Sequence, residues 1–222
     1  MAESSGLVAR AKSIYRTGGP LHLVKRGFAF LLWRVFEYRR YYLYADPIDH
    51  LRDLSEADFL PRVDGFTVKV VSSNEEADEM EASGLPFRAQ IAGAGERVDK
   101  GAVAILMFVE EELVYVNWAA LTEKAQRAIG EPPYRLGFAS REACSGGLWT
   151  HPRYRRRGLR RYGRFLLLRF LLENGIRTRR TAIAKGNVVA QQGRHEYPRG
   201  PQGEGRYLRV LWWKSWKERP LS

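Results

Sequence analysis

Residues 149–165 read WTHPRYRRRGLRRYGRF, seven arginines in seventeen positions, with Gly158 and Gly163 among them. Guanidinium groups are planar forks that grip phosphate and carboxylate oxygens two bonds at a time, so such a cluster is suited to holding an anion. A glycine inside it lets the backbone approach a ligand closely or take a positive φ. The charge around the cluster separates a small-anion site from a polyanion-binding face. The net charge of +12 is distributed as +3 over 1–63, −6 over 64–148, +10 over 149–180 and +5 over 181–222. A protein that grips nucleic acid along its length spreads Lys and Arg over a face or groove. One hot segment beside an acidic one favours a local anion site.

Other chemistries lack their residues. A single cysteine, Cys144, forms neither a disulfide framework nor a thiolate metal cluster, and this suits a reducing, cytoplasmic setting. His22, His50, His151 and His195 stand apart with no metal-ligand spacing, no G-x-S-x-G elbow is present, and no metal is expected. The apolar run Gly27–Trp33 is far shorter than the roughly 20 residues of a spanning helix, and no small-residue cleavage site follows it. With 45% hydrophobic and 12% aromatic residues, the 222-residue chain has enough apolar material for one well-buried domain.

The elements that must position the arginines follow from periodicity. Val24, Phe28, Leu31, Val35, Tyr38 and Tyr42 recur at helical spacing, which predicts an amphipathic helix over 20–44 ended by Asp46-Pro47. The expected organisation is an N-terminal helical extension, 1–63, followed by a mixed α/β domain, 64–222. In that domain FTVKVV (66–71) reads as a strand, 74–82 and 86–96 as helices, and AVAILMFVEEELVYVNW as a hairpin. A long Pro-containing connection, 120–141, precedes a strand over 143–150. A strongly apolar helix at 159–174, a strand at 178–184, a short helix at 187–194 and one or two strands within 206–216 complete the order. The arginine run therefore fills the turn between a strand and a helix N-terminus. There the first-turn N–H groups lack intrahelical partners and the helix dipole is positive, which makes a ready anion site.

LWTHPRYRRRGLR resembles the core motif of GNAT-superfamily N-acetyltransferases, in which a strand passes through P-x-Y-R into R/Q-x-x-G-x-G/A at the head of the next helix. The match runs through Pro152, Tyr154, Arg155 and Gly158, and Asn187 with Ala190 fits the family's N-x-x-A/S. Arg160 stands where the family has Gly or Ala, its long side chain able to point outward, and Arg194 stands where many members carry a tyrosine acid. The resemblance implies a GNAT-like central mixed sheet flanked by helices, with acetyl-CoA as co-substrate and a primary amine as acceptor. It also implies roles. Leu148 or Trp149 would offer a backbone N–H to the thioester, Trp149, Thr150 and Arg155 would line the arm and phosphates, and the amides of Arg156, Arg157, Gly158, Leu159 and Arg160 would hold the pyrophosphate. Asn187 would touch the pantetheine arm, and Gly146-Gly147 would permit a bulge that parts two parallel strands.

Several residues carry a second reading. Glu142 is a general-base candidate or a strand-edge carboxylate, Cys144 a small buried group rather than a nucleophile, His151 a proton shuttle or a turn residue, and Asn187 an N-cap. Two rival functions stand beside the transferase: a noncatalytic basic module for RNA or an anionic membrane, and a GNAT-fold enzyme using aminoacyl-tRNA. The aromatic, basic stretch 20–44 either packs on the domain near 120–141 or makes a peripheral membrane contact. The sequence leaves the acceptor amine and the oligomeric state open.

Overall fold

The computed structural model describes residues 36–193 and 200–221. The chain divides into two compact units. One comprises Tyr41–Gly205 with Glu218–Ser222, and the other Met1–Arg40 with Arg206–Lys217. The strands are β1 (Phe36–Pro47), β2 (Phe66–Val71), β3 (Ala102–Val109), β4 (Glu112–Ala120), β5 (Glu142–Thr150), β6 (Thr178–Ala184), β7 (Gly203–Val210) and β8 (Trp213–Pro220). They form one mixed sheet in the order β2-β3-β4-β5-β6-β1-β7-β8. The helices are α1 (Asn74–Ala82), α2 (Phe87–Gln90), α3 (Ala94–Asp99), α4 (Glu123–Ala128), α5 (Leu159–Glu173) and α6 (Val188–Gln192). A mixed sheet flanked by helices is the architecture that the resemblance implied.

The centre of the sheet is apolar on both faces because helices cover both. Along β3, Val103, Ile105 and Met107 join the cluster built around Leu159, Phe165, Leu168 and Leu171 of α5. The alternate residues Ala104, Leu106 and Phe108 point the other way and are fully buried, on the face where Phe87 of α2 meets Trp118 of β4 at 5.9 Å between ring centroids. Each buried Leu or Phe contributes about 1.5–3 kcal/mol, which makes α5 the main anchor of its face. Side-chain caps set where helices begin: Ser73 accepts from Glu76 N at 3.2 Å, and Thr122 from Ala125 N at 3.2 Å. The expected 86–96 helix is two helices, split where Gly93 takes φ 72°.

The N-terminal expectation needs correction. Residues 20–35 of the expected helix lie outside the described residues, and residues 36–47 form β1, not a helix. The register pairs Tyr41 with Ala184 and Pro47 with Thr178, antiparallel along β6. Tyrosines at 41, 42 and 44 satisfy both a helical and an extended spacing. The backbone partners supplied by β6, together with the strand preference of aromatics, decide for the strand. Asp46 and Arg179 face each other in this pairing and form a buried ion pair at 2.8 Å. Residues 49–53 and 56–59 then form single 3-10 turns. Part of the segment assigned to a separate extension is thus sheet.

One close approach ties α5 to the sheet. A Cβ at Gly163 would collide with the ring of the buried Tyr115 on β4. Alanine is favoured over glycine in a helix by about 1 kcal/mol, whereas overpacking a tight core costs about 1–3 kcal/mol. Gly163→Ala is therefore expected to lower stability by up to about 2 kcal/mol in urea unfolding. A raised midpoint contradicts this packing.

Candidate functional site

The site begins where two neighbouring strands separate. β5 and β6 are parallel and pair only from Glu142↔Thr178 to Cys144↔Arg180, while β5 continues along β4 as far as Thr150↔Tyr115. Val116 lies opposite Trp149 and Trp118 opposite Gly146, so the single residue Asn117 faces both Gly147 and Leu148. This is a β-bulge at the expected glycine pair. Gly147 takes φ 60°, and a Cβ there would lie 2.8 Å from Trp118 Cδ1, so both the turn and the space require glycine. On this interior strand, Leu148 is 42% and Trp149 40% exposed. This exposure falls on the part of β5 beyond the last residue that pairs with β6.

Beyond the bulge, the arginine turn closes one end of a cleft of about 610 Å³. Among the described residues its lining includes Leu148, Trp149, Thr150, Tyr154, Gly158, Leu159 and the five arginines Arg155, Arg156, Arg160, Arg161 and Arg164. Arg156 and Gly158 both adopt left-handed φ, 63° and 88°. The first intrahelical bond of α5 is Tyr162 N to Gly158 O at 3.0 Å, so the amides of Leu159, Arg160 and Arg161 precede the ladder. Arg155 Nε donates to Thr150 O at 3.2 Å, folding the turn back on the end of β5. Arg160 does not point outward: its guanidinium lies against Gly193 at the end of α6, and Arg164 Nη1 donates to Gly193 O at 3.5 Å. The structure thus brings together Leu148, Trp149, Thr150, Arg155, Arg156, Gly158, Leu159 and Arg160.

Other members of the run have structural tasks. Arg153 Nη2 donates to both Glu112 oxygens, at 2.7 and 2.9 Å. His151 accepts from Arg153 N at 3.3 Å through Nδ1 and sits edge-on between Trp149 and Tyr154, bracing the turn. Arg157 does not line the cleft. Its carbonyl accepts from Arg62 N at 2.7 Å and its guanidinium lies over the Tyr154 ring. Asn187 is outside the lining too, and its Oδ1 accepts from Ala190 N at 3.1 Å, the capping role. Trp149 contributes its side chain. It pairs with Val116 on the same β4-facing edge as His151, whose N–H donates to Val114 O, so alternation leaves Leu148 and Thr150 on the edge toward the gap.

Glu142 is not brought to the cleft. It lies at the closed end of the β5–β6 pair, six residues or about 20 Å of strand before Leu148. There its carboxylate accepts from Gly137 N at 2.7 Å and from Arg180 Nη1 at 3.4 Å. The carboxyl group nearer the opening is Glu131, which periodicity could not find because it lies in the irregular 120–141 connection. A Cβ at Gly146 would overlap Glu131 Oε1, so this carboxyl group rests against β5 just before the bulge. Tyr134 OH lies 3.5 Å from Glu131 Oε2 and donates to Arg180 O at 3.3 Å, bridging to β6 where the strands part. Gln126 Nε2 pins the loop by donating to Pro132 O at 2.9 Å and Tyr134 O at 3.1 Å. Burial pushes the Glu131 carboxyl up to about 8, against the smaller lowering effect of the Tyr134 hydroxyl. Burial, then Glu131, raise Cys144 to about 12, which keeps its thiol protonated and inert. Arg194, the residue at the family's tyrosine position, lies outside the described residues.

Among the described residues, no group of three or more His, Cys, Asp or Glu could hold a metal, and no helix is long and apolar enough to cross a membrane. No protein-family model and no curated protein matches the sequence. Solved structures similar to the chain include a functionally unknown conserved protein from Staphylococcus epidermidis (14% identity, TM-score 0.46, covering 85% of this chain and 67% of the other). A GCN5-related N-acetyltransferase from Kribbella flavida is 16% identical with TM-score 0.37, covering 71% of this chain and 54% of that one. A tandem GNAT protein from the clavulanic acid biosynthesis pathway is 16% identical with TM-score 0.43, covering 89% and 59%. The chain thus spans little more than half the length of these two acetyltransferases. At such identities and scores the functional reading rests on the cleft.

A carboxyl group with a raised folded value is protonated in the native state up to about pH 8, while its unfolded counterpart ionises near 4.5. Between those values the unfolded chain binds fewer protons, so this group makes stability fall as pH rises. Glu131→Gln removes that slope. The variant is expected to melt above the parent at pH 8, with the difference shrinking towards pH 4.5. A difference independent of pH contradicts the buried, protonated carboxyl.

Proposed function

We propose that the chain is a GNAT-type acyltransferase that passes the acetyl, or a related acyl, group of acetyl-CoA to a primary amine. The observation that carries this reading is a cleft that pairs an unpartnered strand edge with an arginine-lined helix N-terminus. Such a cleft fits a ligand with an extended amide-bearing arm at one end and several phosphates at the other. The residues present suit it well. The open edge at Leu148 and Thr150 offers backbone groups to the arm. Arg155, Arg156, Arg160 and Arg164, together with the α5 N-terminus, offer charge-assisted donors to phosphate. The motif resemblance through Pro152, Tyr154, Arg155 and Gly158 supports the same reading.

The chemistry asks for three things: an amine freed of its proton, a thioester carbonyl polarised as charge develops on it, and two reactants held in line. The Leu148 N–H, at the bulge, is the donor suited to the carbonyl. Glu131, resting against β5 just before the bulge and outside the lining itself, is the group we assign to accept the amine's proton; near 8 it is largely protonated at neutral pH and acts through its ionised form, so turnover should rise as pH approaches 8. Tyr134, beside it, holds its orientation. The acceptor is a primary amine whose identity the lining does not specify.

Acetyl-CoA is expected to raise the melting temperature in proportion to its occupancy. Arg160→Ala should weaken binding about 10-fold or more, since a hydrogen bond to a charged group contributes about 1.5–3 kcal/mol. No acetyl-CoA shift in the folded parent overturns the reading, and an unchanged affinity in Arg160→Ala overturns the placement of the phosphates. With an acceptor found by panel screening, Glu131→Gln should lower kcat at least 10-fold and flatten the acidic limb of the pH–rate profile while leaving acetyl-CoA binding intact. Full activity in that variant removes Glu131 from the mechanism.

A further inference from the structure

The hairpin of β7 and β8 breaks the rule for its own turn. Its two-residue loop is Leu211-Trp212, and Leu211 takes φ 55°. A two-residue hairpin loop with positive φ at its first residue favours glycine there, because that conformation is easy for glycine and strained for a branched apolar side chain. Here strain and exposure coincide. Trp212 is 85% exposed, Trp213 53%, and Val210 and Leu211 are exposed beside them. A local rule broken at a cost in both backbone strain and solvation is the pattern of a functional surface.

The surroundings specify the partner's chemistry. The segment 206–217 reads RYLRVLWWKSWK, with four cations and no acid. Arg206, Lys214 and Lys217 are exposed on both strands below the tip, and Arg209 pairs with Glu37 at 3.2 Å. Indole rings bury an apolar body while keeping an N–H at a wet boundary, and lysine and arginine stems reach past apolar surface to anionic headgroups. An apolar apex collared by cations matches the interfacial layer of an anionic bilayer, each cation near such a surface adding attraction. A protein groove would need no such collar.

We propose that the hairpin tip, Leu211 to Trp213, is a peripheral anchor that inserts into the headgroup region of anionic membranes. It is distinct from the cleft and does not depend on the acyltransferase reading. The full-length chain is to be sedimented with vesicles of phosphatidylcholine alone and of phosphatidylcholine with 30% phosphatidylserine. Strong binding is expected only to the anionic vesicles, weakening as salt rises. The double variant Leu211→Gly, Trp212→Asn puts glycine at the positive-φ position and so preserves the hairpin, and it should lose at least 10-fold in vesicle affinity. Lys214→Glu with Lys217→Glu should abolish the preference for anionic lipid. No vesicle binding by the parent, equal binding to both compositions, or binding unchanged in the Gly-Asn variant overturns the proposal.

Discussion

Everything at the site follows from the separation of β5 from β6. A parallel pair that ends after three residues leaves the facing edge of β5 without strand partners, although β5 lies in the interior of the sheet. Backbone N–H and C=O groups must find partners in protein, water or ligand. β6 is held elsewhere, since its other edge pairs with β1 along its whole length. β5 is held by β4 through the bulge at Gly147 and Leu148. Each strand is thus fixed on its outer side, and the gap between them cannot close by sliding. A ligand arm that offers amides to that edge completes the sheet.

The arginine turn depends on the same geometry. The end of β5 must enter α5 at a point where the helix N-terminus faces the gap, and two left-handed residues, Arg156 and Gly158, make that turn. The 59–62 segment backs it: a Cβ at Gly158 would lie 3.2 Å from Pro61 Cα, and Phe59 stacks on Phe165 at 4.4 Å. Arg153 and Arg157 spend their charge and stems on bracing the turn, while Arg155, Arg156, Arg160, Arg161 and Arg164 face the cleft. Like charges gathered in one lining repel each other, so an anion that enters between them relieves part of that repulsion. The apolar face of α5, with Leu159 and Phe165 buried, supplies the stability that offsets this repulsion.

Proton chemistry is set by depth rather than by residue type. Glu142 and Glu131 are both carboxylates near β5. Glu142 is matched by Arg180 and a backbone amide, while among the described residues Glu131 meets the Tyr134 phenol. The first pairing ties the start of β5 to β6. Poorly partnered ones in apolar surroundings hold a proton near neutrality and can exchange it.

The strand-turn-helix frame and its charge are legible in the residues alone. The apolar runs of β3, β4 and α5, the glycine pair Gly146-Gly147 at which the bulge begins and the arginines ahead of a helix are local patterns, and local patterns survive folding. Tertiary structure decided the rest. Residues 36–44 carry aromatics at spacings compatible with helix or strand, and only the free edge of β6 selects the strand. Glu131 sits in an irregular connection with no period to mark it, and its position against Gly146 arises from a loop pinned by Gln126. Glu142 looked like a base because it begins the right strand. Whether a carboxylate faces a cleft or an arginine depends on which end of the strand pair opens, and that is a property of the sheet as a whole.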